Sequence, residues 1–313
     1  MKKFIKNAAV FIFIIGTVFL GLSIGIKKVL RGGNYYSINK HIDKVLFGHS
    51  HASNAFDDEL ITDFRNFGDA GESYFYTYYK AKKIIENNQQ IKTVFIVLSN
   101  NQVASIANTW IWSDKYLNHT FPKYAAFIDH EGYNLLLKNN WKSLISSECI
   151  ALRENLYFLV RSRKHPNYIN ERDWGKFGTS NKVFVDGEIE KTHVNEGVSI
   201  TNISYLMKTI AMLKENKINV FLIRSPLHRN YQMNNETEFM KIITANNLSE
   251  MFLDFKNYPL SDNQFIDLEH LNLNGAKEFS IFFNKLLTDS LLQRADKTSY
   301  IKHQIEDVML TKK

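Results

Sequence analysis

One stretch, Thr93-Val94-Phe95-Ile96-Val97-Leu98, constrains the fold more than any other. It is a continuous apolar run with no polar alternation. A strand of that kind is buried on both faces, as the centre of a parallel sheet is. Shorter runs repeat the signal at Val45-Leu46-Phe47, Ile218–Ile223 and Met251–Phe255. Helical patterns fall between and after them: Ala55–Phe64, Tyr74–Glu86, Asn202–Asn216, Lys241–Asn247 and Asn274–Gln293. In the Asn202 segment Ile203, Leu206, Met207, Ile210 and Leu213 share one face. Strands alternating with helices predict an α/β fold, a three-layer α/β/α sandwich with a central parallel sheet and right-handed crossovers.

The N-terminus carries a second signal. Ala8–Ile26 contains no charged residue, and as a helix it reaches roughly 28 Å, close to the hydrocarbon thickness of a bilayer. Lys2, Lys3 and Lys6 precede it, and Lys27, Lys28 and Arg31 follow. The apolar run ends in Ile-Lys-Lys rather than in small residues, so an uncleaved transmembrane anchor over residues 1–30 is expected. The bilayer, met through residues 8–26, is the first predicted partner. The flanking charges nearly balance and set no orientation.

The rest of the chain excludes some classes. The formal charge is +7, but Lys and Arg are scattered and form no stripe for nucleic acid. A single cysteine, Cys149, permits no intrachain disulfide. Asp129-His130-Glu131 and the pair His49/His51 lack metal-ligand spacing, so neither a metal nor another cofactor is predicted. Residues 31–295 read as the main domain and 296–313 as a charged C-terminal tail. Within the domain, 108–200 is an aromatic-rich insertion holding all four tryptophans, with weak strand character from Trp174 to Gly187. It is either a cap over the strand ends or a peripheral piece that completes the core.

Four polar clusters fall at strand ends or in the loops beyond: Ser50, the Gly68–Gly71 loop, Asn100/Asn101, and Asp267-Leu268-Glu269-His270. In an open parallel sheet such ends converge on one edge. Ser50 follows a strand closed by Gly48. A serine hydroxyl needs a base within hydrogen-bond reach. His270 can take its proton, and Asp267, three residues earlier, can hold the other ring nitrogen. His228 and Arg229, at the end of another strand, are candidates for substrate binding, or else ordinary loop residues.

Four clusters in this order resemble the blocks of the SGNH hydrolase superfamily, the GDSL-like esterases with a flavodoxin-like sheet. Gly48-His49-Ser50-His51 resembles the first block, with the nucleophile. Asn66–Ser73 resembles the second, and Ser99-Asn100-Asn101-Gln102 the third. Asp267–Asn272 is similar to the D-x-x-H block. The resemblance implies an oxyanion hole from the N–H groups of Ser50 and Gly71 and the amide of Asn101, with Asn100 as the alternative. This sequence departs from the pattern at His49, where the superfamily has aspartate, and in the third block, usually Gly-x-Asn-Asp, where the glycine and the final aspartate are missing from Ser99-Asn100-Asn101-Gln102. The anchor and the aromatic insertion resemble a branch that modifies cell-envelope polysaccharides beside a multi-spanning membrane O-acyltransferase. That implies an O-acetyltransferase or carboxylesterase on an envelope glycan, single-pass in a bacterial cytoplasmic membrane and facing outward. Tryptophans of the insertion are expected to stack on sugar rings. A non-catalytic envelope assembly or binding module is the alternative.

Overall fold

The computed structural model describes residues 1–161, 167–184, 197–232 and 235–312. In chain order its helices and strands are α1 (Lys2–Gly32), β1 (Lys44–Gly48), α2 (Ser50–Ala55), β2 (Phe64–Gly68), α3 (Tyr74–Asn87), β3 (Thr93–Val97), α4 (Asn100–Val103), α5 (Thr109–Trp112), α6 (Asp114–Tyr124), α7 (His130–Arg161), α8 (Tyr168–Glu171), α9 (Ile200–Glu215), β4 (Asn219–Arg224), α10 (Glu236–Ala245), β5 (Phe252–Asp254), α11 (Leu273–Thr288) and α12 (Lys297–Thr311). The chain divides into two units. One is Met1–Ser37 with Trp112–Arg172, and the other is Ile38–Ile111 with Asp173–Lys313.

The second unit is α/β, as the apolar runs require. Its five strands form one sheet in the order β2-β1-β3-β4-β5, and every pairing is parallel. Side chains alternate between the faces of a strand. Leu46, Phe95, Val97, Phe221, Ile223 and Leu253 therefore point one way, into a cluster with Phe56, Phe279 and Phe283. Val94, Ile96, Val220 and Leu222 point the other way. There α3 and α9, which add nothing to that cluster, pack against β1 and β4.

Two local expectations, a helix over Ala55–Phe64 and strand character from Trp174, are corrected. The helix predicted over Ala55–Phe64 ends at Ala55, and β2 begins at Phe64, where no strand was predicted. Asn66 makes that strand possible. Fully buried, it donates to the carbonyls of Ala52 and Phe56 (2.8 and 2.7 Å) and accepts from Gly68 N at 2.7 Å. The charged tail, 296–313, contains the helix α12, which packs on β5 with Ile301 and Ile305 buried. Within the 108–200 insertion, 112–172 groups with α1, and 108–111 and 173–184 group with the sheet unit. Trp174–Phe184 forms no strand, and 185–187 lie outside the described residues.

The first unit is helical. Among the described residues one helix, α1, is long and apolar enough to cross a membrane. Phe4 to Leu22 includes a run of exposed apolar side chains, whereas Ser23, Ile26 and Leu30 are buried. Just past the apolar run, Lys27 pairs with Glu148 at 2.6 Å. Tyr36 donates to Leu30 O at 3.1 Å and meets the rings of Phe127 and Tyr168.

Candidate active site

Ser50 is the first residue of α2, directly beyond β1. The turn between them runs through Gly48 at φ +152°, where an added Cβ would stand 2.7 Å from Cβ of Val97. A side chain fits neither that space nor that backbone conformation. The neighbouring β2–α3 turn is tied on by Asp69 N, which donates to Gly48 O at 2.9 Å. Gly71 occupies that turn at φ +74°, in the left-handed region. Behind it Glu72 and Lys80 form a fully buried ion pair at 2.7 Å, and Lys80 also donates to Phe67 O at 2.8 Å. A buried charge is tolerable only with such a partner.

The other half of the site comes from the loop before α11. Phe265 and Leu271 bridge antiparallel, and Ile266 N donates to His270 O at 2.8 Å, so the loop closes on itself. Within it Asp267 Oδ1 accepts the amides of Glu269 and His270, both at 2.8 Å. Nδ1 of His270 lies 2.9 and 2.8 Å from Oδ1 and Oδ2 of Asp267. Asn272 then caps α11 by accepting from Asn274 N and Gly275 N.

The structure brings Ser50, His270 and Asp267 into one chain. Nε2 of His270 is 2.7 Å from Ser50 Oγ, across 220 residues of sequence. Burial raises the affinity of Asp267 for a proton, but the bond and charge of His270 and the two amides outweigh it, so its pKa lies below 3.8. The carboxylate is ionised and holds the imidazole in a single orientation.

Four further residues join them that the spacing alone did not assign. Glu269 is the first. Its Oε2 accepts from Asn101 Nδ2 at 2.5 Å and lies 3.2 Å from His51 Nε2. Burial disfavours its charge, yet His51, His270 and Asn101 together bring its pKa below 4.5. His51 is the second, buried with its ring 5.1 Å from that of His270. Ser99 is the third, 2.9 Å from Nε2 of His49. The fourth is Trp110, stacked on His49 at 6.0 Å. Burial pushes the pKa of His49 well below 6.5, with His51 and His270 adding to the effect. Burial lowers that of His51 too, against the pull of Glu269.

The remaining candidates separate. Asn101 stands at the site through Glu269. Asn100 is turned elsewhere, donating to Asn235 and Glu236 and accepting from Arg224 at 3.1 Å. His228 is buried, with Nε2 3.1 Å from Asp262 and Nδ1 accepting from Asn230 N. The exposed Arg229 pairs with the same carboxylate at 2.7 Å. Both are thus tied to Asp262, and His228 has no ring nitrogen left to offer a substrate. Gln102 is buried and bonded to Glu72 O and Asn202, a structural strap at the position of the missing aspartate. Trp174 is fully buried and cannot stack on a sugar. Among the described residues no group of three or more His, Cys, Asp or Glu is placed to hold a metal ion.

A family model that carries no functional description matches residues 186–292, about a third of the chain. That range contains Asp267 and His270 but not Ser50. No curated protein matches the chain.

Proposed function

We propose that the protein is a membrane-anchored serine acyl-enzyme of SGNH type. In this proposal it transfers or removes an O-acetyl or other acyl group on a cell-envelope polysaccharide. One observation carries it: the continuous hydrogen-bond chain from Ser50 through His270 to Asp267, with heavy-atom distances of 2.7 and 2.8 Å. Strand order adds support. The sequence 2-1-3-4-5 is the flavodoxin-like order, and it reverses beside β1, the strand that delivers Ser50. Helices on both sheet faces fit the three-layer sandwich of the resembling superfamily.

In this mechanism Ser50 Oγ attacks the ester carbonyl while Nε2 of His270 takes its proton. The imidazolium, steadied by Asp267, returns that proton to the leaving oxygen. An acceptor hydroxyl, from a sugar or from water, then gives its own proton to His270 and takes the acyl group. Candidate donors for the oxyanion are the N–H groups of Ser50 and Gly71 and the second amide hydrogen of Asn101. No metal or cofactor enters these steps. A module that has lost its activity is less well supported, because His49 and Gln102, the departures from the pattern, are both engaged in hydrogen bonds around the site.

We assign α1 as the single-pass anchor, in a bacterial cytoplasmic membrane with the sheet unit outside. An envelope glycan and a multi-spanning membrane O-acyltransferase are the proposed partners. The full chain in detergent should take a fluorophosphonate probe, and Ser50→Ala and His270→Ala should not. An activated acetyl ester supplied with oligosaccharides then separates the two reactions. Acetylated sugar means transfer, and free acetate at a rate no acceptor alters means hydrolysis. Equal labelling of the wild type and Ser50→Ala would overturn the proposal. A fusion after Thr311 that is active only in the cytoplasm would overturn the orientation.

A further inference from the structure

The hydrogen bonds around Ser50 can be read with a direction. A carboxylate only accepts, so Nδ1 of His270, facing Asp267, carries the ring proton. Nε2 of His270 is then a bare acceptor, and the hydroxyl proton of Ser50 is committed to it at 2.7 Å. Toward Nδ1 of His49, 3.3 Å away, the Ser50 oxygen has only lone pairs to offer. Two acceptors facing each other would repel, so Nδ1 of His49 must bring the proton. His49 is 2 % exposed, with the rings of His51 and Trp110 at 4.5 and 6.0 Å. Among the described residues no carboxylate bonds its ring, and a second ring proton would have no ionic partner there. Its Nε2 is therefore bare, and the hydroxyl of Ser99 donates to it at 2.9 Å.

We propose that His49 is a further catalytic residue, a neutral imidazole held by Ser99 in its Nδ1–H form, whose N–H is donated to Ser50 Oγ. This rests on the acyl-enzyme function above and assigns a role to the histidine that departs from the superfamily pattern. His49 moves no proton. In the first half-reaction the Ser50 proton goes to His270, the Oγ–acyl bond forms, and the bond to the leaving oxygen breaks as His270 protonates it. In the second half the acceptor hydroxyl gives its proton to His270 and bonds the acyl carbon. The Oγ–acyl bond breaks, and His270 returns a proton to Oγ. In that half Oγ departs with developing negative charge, and a fixed N–H already pointing at it stabilises the departure. In the first half the same bond ties up a lone pair of the nucleophile, so its benefit partly cancels. Loss of the donor should therefore slow release of the acyl group more than its uptake. Ser99 acts through His49 and is a positioning residue.

The test uses the full chain in detergent with p-nitrophenyl acetate, resolving the first turnover from the steady state. His49→Leu, which has no donor, should keep its burst while the steady-state rate falls roughly ten- to a hundredfold, the worth of one hydrogen bond to a charged group. Acetyl-Ser50 should accumulate, as read by mass spectrometry. His49→Asn, with an amide N–H near the position of Nδ1, should recover most of the rate. In ¹⁵N-histidine spectra His49 should show the Nδ1–H form in the wild type and the Nε2–H form in Ser99→Ala. If His49→Leu does not fold, Ser99→Ala and the spectra decide alone. An unchanged steady state in folded His49→Leu, both phases falling in parallel, or an Nε2–H form in the wild type would overturn the inference. A wild type with neither burst nor probe labelling removes the acyl-enzyme function and this inference together. A wild type that labels beside an unaffected His49→Leu removes the inference alone.

Discussion

Asn101 Nδ2 donates to Oε2 of Glu269 at 2.5 Å, so the amide expected to serve an oxyanion is already bound to a carboxylate of the loop that carries Asp267 and His270. That carboxylate is ionised and sits beside His270 as a second negative charge after Asp267. In the proposed mechanism it would steady the imidazolium at a distance, whereas Asp267 would also fix the tautomer. Glu269→Gln should therefore slow acylation by about tenfold, the worth of roughly one pKa unit. Asp267→Asn should slow it by on the order of a thousandfold or more. Fluorophosphonate labelling rates of the two variants check the ranking, and equal losses would contradict it.

Acid should weaken the fold in two stages. His49 and His51 have folded pKa values depressed below 6.5 by burial. The unfolded chain then binds more protons, so stability rises with pH through that window. Their contribution is full above pH 6.5 and is lost as pH falls toward their folded values. Asp267 and Glu269 are also depressed, from 3.8 and 4.5, so their share is lost only as pH falls further, through the lowered values. Denaturant midpoints should fall between pH 8 and pH 5.5. His51→Gln, which keeps a donor toward Glu269 but cannot titrate, should flatten that slope.

Arg224, fully buried at the end of β4, should be the most sensitive polar residue away from the site. Its guanidinium meets Glu236 at 2.7 and 3.0 Å and Asp254 at 3.0 and 2.5 Å, between the rings of Phe239 and Phe252. Burial opposes the charge of Glu236, but Arg224, Lys256 and Asn100 bring its pKa to about 2. Arg224→Met strands both carboxylates and should cost about 3–5 kcal/mol. Adding Glu236→Gln should recover part of the loss, measured by chemical denaturation.

The strands were legible where burial leaves no other pattern. β1, β3, β4 and β5 are continuous apolar runs. β2 lies at an edge of the sheet, as β5 does, but Arg65 and Asn66 interrupt its two phenylalanines. Its placement depends on the Asn66 side chain bonding residues 10 and 14 positions away, which no local pattern encodes. Ser50, Asp267 and His270 stood out because their chemistry needs those residue types at strand ends. Glu269, His51 and Ser99 did not, since their roles arise only from contacts such as His51 to Glu269, 218 residues apart. A charged residue directly before His270 was the one available signal.

The same limit explains α12. Its few apolar residues, among them Ile301, Ile305 and Val308, sit among lysines and acids, so the composition reads as a solvated tail. Ile301→Ala should cost about 2–5 kcal/mol, as a core position does, whereas a free tail would register within about 0.5 kcal/mol. Thermal or denaturant melting of the full chain distinguishes the two.

The 220-residue separation of Ser50 from His270 also sets a timetable. At roughly 5–20 residues per second, a ribosome needs on the order of 10–45 s to pass from one to the other. α1 is made first and can enter the bilayer while His270, the base of the proposed mechanism, does not yet exist. On the proposed anchoring, the chain reaches the membrane before the proposed site is complete. The order of translation would then keep the proposed nucleophile silent until the last elements of the sheet unit have been made.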